Sequence, residues 1–194
     1  MIAENNEQIG FGQFPVDTFH LSQRVSNLPT VLDELNALVR QGVIKDYAIG
    51  GGYAVMYHGI PYSTFDLDVL VLLTSEEDFH NLYSHYRQKG NKIENVYIYI
   101  SNMPVQFLPN YISPLFNNAI KKAKQITVSG VPGKVVKLEY LIALLLTAFR
   151  PKDKIHIIEL AKNADMSALH QILKRFDDGQ HVLSKRLKEV LGNS

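Results

Sequence analysis

A run of three glycines, Gly50-Gly51-Gly52, ends a short apolar stretch. After thirteen intervening residues, Asp66-Leu67-Asp68 opens a second one, Leu67 to Leu73. No other feature constrains the fold as much. Alternate residues of a strand share a face, so Asp66 and Asp68 are expected to point the same way, about 6.6 Å apart along the backbone. Glycines beside them let the backbone approach a ligand without a side chain intervening. Paired carboxylates next to such a loop suit a magnesium–nucleotide site.

The surrounding pattern predicts an α/β arrangement. Apolar residues at Leu28, Val31, Leu32, Leu35, Leu38, Val39 and Val43 have helical spacing, with Ser26 or Asn27 as the cap and Gly42 as the stop. Tyr47 to Ile49 reads as a short buried strand, Tyr53 to Tyr57 as a short helix, and Leu67 to Leu73 as a second buried strand. Thr74 or Ser75 before Glu76-Glu77-Asp78 marks a helix start with acids in its first turn. Val96 to Ile100 and Val105 to Leu108 read as strands joined through Asn102-Met103-Pro104. Ile126 to Val136 looks like a further hairpin. Helical stretches then run over Leu138–Phe149, Lys152–Asn163, Ser167–Phe176 and Val182–Leu191. The expected division is an irregular arm over 1–26, an α/β core over 27–110 and a mostly helical region over 111–194.

Charge follows that division. Residues 1–97 hold 6 Lys+Arg against 12 Asp+Glu, and residues 98–194 hold 14 against 7. An acidic half with the paired aspartates and a basic half suited to polyanions match the two walls of a metal–nucleotide cleft. Two differently charged solvated faces are the plainer alternative. The chain has no cysteine, which excludes disulfides, thiolate zinc sites and cysteine nucleophiles and fits a reducing cytoplasm. Met1 to Gln8 are polar and acidic, so no signal peptide is expected. The longest apolar run, Leu141 to Phe149, is much shorter than the ~20 residues of a membrane span. No Walker-type loop, His-Glu-x-x-His or Gly-x-Ser-x-Gly occurs.

Gly51-Gly52, a short helix and Asp66-Leu67-Asp68 together resemble the signature of the polymerase-β-like nucleotidyltransferase superfamily. His58-Gly59-Ile60-Pro61, Ser63-Thr64, Leu138-Glu139-Tyr140-Leu141-Ile142-Ala143 and Arg150-Pro151-Lys152-Asp153 extend the resemblance to its AbiEii-type branch, which includes toxins of toxin–antitoxin pairs. The resemblance covers roughly residues 45–165. It implies a nucleotidyltransferase-like small mixed sheet with flanking helices, followed by a mostly helical C-terminal half. It also implies transfer of a nucleoside monophosphate from a nucleoside triphosphate to an acceptor: RNA, a protein or a small molecule.

Within that resemblance, Asp66 and Asp68 are the implied catalytic residues and metal ligands, for Mg2+ or Mn2+. Gly51, Gly52, Thr64, Lys137 and Lys152 are the implied nucleotide-binding residues. An antitoxin partner and a cytoplasmic location are implied, and no membrane. Three positions depart from the pattern. Gln106 stands where a third acid is usual, and a neutral amide is no base and a poor magnesium ligand. Leu144-Leu145-Leu146 stands where a lysine is frequent, and Tyr62 where an arginine is. A catalytically impaired nucleotide-binding or interaction module is therefore the alternative expectation.

Overall fold

The computed structural model describes residues 18–192, with side chains from residue 27 onward. Residues 1–17 of the expected arm, with the polar Met1–Gln8 start, lie outside the described residues.

The first helix, α1, spans Thr18–Arg40. It therefore starts earlier than Leu28, and Ser26 and Asn27 lie inside it rather than capping it. Pro29 is accommodated within the helix. Gly42 takes a positive φ of 73° just beyond the helix end, as a stop signal should. The buried stripe Leu28, Val31, Leu32, Leu35 and Leu38 is the one the spacing picks out.

Among the described residues seven strands form one mixed sheet. They are β1 Asp46–Ile49, β2 Leu67–Leu72, β3 Ile93–Glu94, β4 Tyr97–Ile100, β5 Met103–Pro109, β6 Lys124–Val128 and β7 Val131–Val135. Their order is β3-β4-β5-β2-β1-β7-β6. β2 runs antiparallel to β1 and parallel to β5, and β7 runs parallel to β1. The sheet thus draws strands from both sides of residue 110. Its centre reads as continuous apolar runs because both faces are covered: Val69, Leu70 and Val71 are all buried.

Between the strands lie α2 Gly51–Tyr57, α3 Glu76–Gln88 and α4 Pro114–Lys121. Ser75 caps α3 in a reciprocal capping box with Asp78. The chain closes with α5 Leu138–Ala148, α6 Pro151–Ala161, α7 Met166–Phe176 and α8 Val182–Leu191. Close packing of α1 on the sheet depends on Gly133 of β7, where an added Cβ would stand 2.8 Å from Leu32 Cδ2.

One hairpin turn differs slightly from the expected one. The β4–β5 turn is Ser101-Asn102, with φ of 49° and 65°, not Asn102-Met103-Pro104. Pro104 is inside β5. Two successive positive φ values give the turn twist that tight hairpins favour. Ser129-Gly130 does the same between β6 and β7, with φ of 50° and 82°.

Candidate functional site

Asp68 lies directly against the first of the two glycines that open α2. Gly51 and Gly52 form the first turn of α2 rather than a loop ahead of it. Gly51 has a φ of 51°, and a Cβ placed there would lie 1.7 Å from Asp68 Oδ2. The carboxylate of Asp68 therefore occupies the space that any side chain at position 51 would need. Gly52 is equally restricted: its Cβ would meet Thr64 Cβ at 2.6 Å and Tyr62 Cε1 at 2.9 Å. The glycines serve the close approach of the helix to β2 and its lead-in.

Asp66 lies just before β2 and is fixed by side chains. Thr64 Oγ1 stands 3.0 Å from Asp66 Oδ1 and 3.2 Å from the Asp66 carbonyl oxygen. The Asp66 carboxylate acts on the Tyr97 hydroxyl and holds that phenol above its ordinary pKa. Asp66 and Asp68 are close enough to repel. Burial first, then the charge of Asp66, pushes the Asp68 pKa up to about 6.

The corner between α5 and α6 brings cations near the aspartates. Arg150 and Lys152 both lie within electrostatic reach of Asp68 and favour its charged form. Arg150 is held tightly. Its backbone N–H donates to Asp153 Oδ2 at 2.9 Å, Nε to the same oxygen at 2.8 Å, and Nη2 to Oδ1 at 3.1 Å. Asp153 is buried, while the Arg150 side chain is exposed. A bidentate pair of this kind fixes direction as well as position. Behind it, Phe149 adopts a left-handed conformation at φ 52°, ψ 32°. Its ring is flanked by Lys154 Nζ at 4.2 Å and the Arg186 guanidinium at 4.7 Å. Arg186 also donates to the carbonyls of Leu146 and Thr147 at 2.7 and 2.9 Å, capping the end of α5.

Of the residues singled out in the sequence, the structure brings together Gly51, Gly52, Thr64, Asp66 and Asp68, with Lys152 across from them. Lys137 is the exposed N-cap position of α5 and follows Val136, whose N–H donates to the Ile49 carbonyl at 2.9 Å just before the glycines. Gln106 is the direct cross-strand neighbour of Asp68, which is where a third acid would stand. Asp153 is engaged by Arg150. Tyr62 packs edge-on against His156, ring centroids 4.5 Å apart, so an aromatic contact ties the β2 lead-in to α6. Leu145 and Leu146 are buried in the core. His58 is structural: its Nε2–H donates to the Val136 carbonyl at 2.8 Å.

Two residues escaped the sequence reading as site components, Arg150 and Tyr97. Arg150 had a local signal, since Pro151 and Asp153 mark a helix start that draws the arginine in. Tyr97 had none, because its place depends on strand register.

The donor set accommodates a divalent cation. Two carboxylates repel each other, one of them largely buried, and Arg150 and Lys152 lie within electrostatic reach of it. A magnesium ion bound by one or two carboxylates and otherwise by water and phosphate oxygens fits that arrangement. Among the described residues no cluster of three or more histidine, cysteine, aspartate or glutamate side chains offers a self-sufficient metal cage.

No family model matches the sequence, and no curated protein does either. Solved structures do. An antigenic nucleotidyltransferase-like protein from Paracoccidioides brasiliensis aligns with a TM-score of 0.57 at 16% identity, over 86% of this chain and 93% of that chain. The antibiotic-resistance factor ANT(2'')-Ia aligns in solution form at TM-score 0.45 and 13% identity, over 86% and 90% of the two chains. In complex with adenylyl-2''-tobramycin it aligns at 0.45 and 15%, over 84% and 97%. The fold is that of nucleotidyltransferase-like proteins, and the mixed α/β architecture expected from the sequence is the observed one. Among the described residues no helix is long and apolar enough to cross a membrane.

Proposed function

We propose that this chain binds a nucleoside triphosphate with Mg2+, or Mn2+, between Asp66–Asp68 and the α5–α6 corner, and transfers its nucleoside monophosphate to an acceptor hydroxyl. The observation that supports this most directly is the placement of Asp68 against Gly51 with Asp66 beside it and Arg150 opposite. Two carboxylates that repel in the free protein are a ready site for a cation, and a braced guanidinium suits a phosphate.

The residues divide the work. Asp66 and Asp68 would hold the metal, which when bound neutralises phosphate charge. Gly51 and Gly52 leave backbone N–H groups open to close approach, Lys152 and Arg150 would hold phosphate oxygens, and Thr64 keeps Asp66 in its orientation. Lys137 belongs to this reading as a further nucleotide contact, since it follows Val136, whose N–H donates to the carbonyl of Ile49 just before the glycines. The split at residue 110 is then functional: the acidic part supplies the carboxylates and the basic part supplies the cations.

Within the same proposal, the AbiEii-type motifs favour a toxin–antitoxin component with RNA as one candidate acceptor, an antitoxin as partner and the cytoplasm as location. Gln106 favours a second reading, in which the chain binds nucleotide without transferring it, since the position beside Asp68 carries no base.

Calorimetry with nucleoside triphosphates and Mg2+ tests the shared core of both readings. Wild type is expected to bind, and Asp66→Ala/Asp68→Ala to lose binding. Equal affinity in the two proteins would refute the assignment. Label transfer from an α-labelled triphosphate then separates transferase from binding module.

A further inference from the structure

Four of the most exposed large apolar side chains among the described residues are Phe65, Val96, Tyr111 and Ile112, at 54%, 47%, 43% and 51% exposure. Contacts join them into one strip. Tyr111 meets Phe79 of α3, ring centroids 6.4 Å apart, and Phe79 meets Tyr83 at 5.1 Å. The Tyr83 hydroxyl donates to the Val96 carbonyl at 2.9 Å. Val96 leads into Tyr97, whose ring stands edge-on to that of Phe65, centroids 6.4 Å apart. Phe65 directly precedes Asp66. Register opposes Tyr97 to Gln106 and Gln106 to Asp68, so Tyr97 projects to the face that carries Asp68. The strip thus runs from the short 3-10 helix Asn110–Ile112, past the start of α3 and the β3–β4 turn, to the edge of the aspartate site.

Folding alone does not call for this surface. Asn95-Val96 is the two-residue turn between β3 and β4, with Asn95 at φ 55°. Such a turn favours asparagine but gains nothing from a β-branched apolar residue turned to water. A contiguous open apolar surface of this kind marks a docking face.

Charge selects the occupant. Residues 65–97 hold 6 Asp+Glu against 3 Lys+Arg, and residues 109–113 hold neither. Two of those three cations are already paired, Lys89 with Glu34 and Lys92 with Glu94. On α3, Glu76 lies three residues before Phe79 and seven before Tyr83, on the same side of the helix. An acidic border repels the phosphates of RNA. A second copy docked face to face would set the acids against each other. A polypeptide that combines lysine or arginine with apolar or aromatic side chains complements both the strip and its border.

We propose that the strip from Tyr111 to Phe65 docks a polypeptide acceptor of that composition, which presents a serine, threonine or tyrosine hydroxyl at the aspartates. The acceptor role rests on the nucleotidyl-transfer reading above; the docking does not. In the transfer step the hydroxyl oxygen bonds to the α-phosphorus. The bond from that phosphorus to the oxygen bridging the β-phosphate breaks, pyrophosphate leaves, and the hydroxyl proton passes to water.

The test uses the full chain with two fluorescent copolymers, poly-(Lys,Tyr) and poly-(Glu,Tyr), which share an aromatic hydroxyl and differ in charge, and with single-stranded polyuridine. Anisotropy reads docking, an α-labelled nucleoside triphosphate with Mg2+ reads transfer, and calorimetry reads nucleotide binding. Wild type is expected to bind poly-(Lys,Tyr) more tightly than the other two polymers and to label it. Tyr111→Ser/Ile112→Ser is expected to weaken that docking about tenfold, as for the loss of an apolar anchor. Glu76→Lys is expected to weaken it severalfold, and Ile155→Ser, an exposed apolar position on α6, to leave it unchanged. Equal binding of poly-(Glu,Tyr) or polyuridine would overturn the docking surface, as would docking unaffected by the strip variants. Sedimentation showing that wild type self-associates through the strip would overturn it too. Poly-(Lys,Tyr) docked on a nucleotide-loaded protein yet unlabelled would overturn the acceptor role and leave the nucleotide site standing. Absence of nucleotide binding would instead defeat the nucleotidyl-transfer reading, and the acceptor role with it.

Discussion

At neutral pH Asp68 is ionised in the fold even though burial and Asp66 push its pKa up to about 6, from an ordinary 3.8. Between those two values the folded chain holds a proton that the unfolded chain has released. Stability therefore falls as pH rises from about 4 to about 6 and stays lowered above that. The shift corresponds to about 3 kcal/mol of destabilisation at neutral pH. Asp68→Asn removes the charge and nearly conserves the shape. Thermal melts are expected to show the variant more stable than wild type above pH 6, by up to ~3 kcal/mol, with the gap closing toward pH 4. A variant less stable than wild type at pH 7 would contradict this account of the site. Asp66 and Asp68 could be read in the sequence because strand alternation is a local rule. Tyr97 could not, because its arrival beside Asp66 requires the pairing of β4 with β5 and of β5 with β2.

The corner between α5 and α6 sets the direction of Arg150, and it does so through a backbone conformation that a phenylalanine adopts at a cost of about 1–2 kcal/mol. Phe149 is kept there by Lys154 and Arg186 on its ring, with Arg186 also on the last carbonyls of α5. Arg186→Ala is expected to loosen the corner. Nucleotide affinity should drop severalfold, while the melting temperature moves by only a few degrees, as for a loss near 1 kcal/mol. Unchanged affinity would show that α8 does not govern the cleft. Most elements were legible: α3 from its acids and cap, α5 to α8 from their apolar spacing, both hairpins from their turn residues. β3 was not, since Ile93–Glu94 is too short to show a period. α4 was not, although Pro114 and Ser113 mark its start, because its eight residues give barely two turns.

Across the molecule, stability is concentrated in the middle of the sheet. β2 is paired on both sides, by β1 and β5, and its residues Leu67, Val69, Leu70 and Val71 are buried. β6 has one neighbour and no fully buried residue, and β3 pairs only through Ile93 and Glu94. Amide hydrogen exchange is expected to be slowest in β2 and β5, and fastest among the strands in β3 and β6. Exchange in β2 as rapid as in β6 would mean the sheet opens from its centre. The overall architecture was readable, but not the path by which β7 returns beside β1. That pairing is parallel and joins residues far apart in sequence, so no local pattern announces it.

The same return path has a consequence for ancestry. Residues before 110 own the acids and residues after 110 own the guanidinium, yet β7 is seated in the sheet next to the strand that leads into the glycines. Neither portion can be lost, shuffled onto another gene or inherited alone without dismantling the cleft. A split of the gene between β5 and β6 would survive only if the two products found each other again along β1 and β7 and the contacts beside them, such as Asp46 with Lys134 and Asn36 with the Pro132 carbonyl.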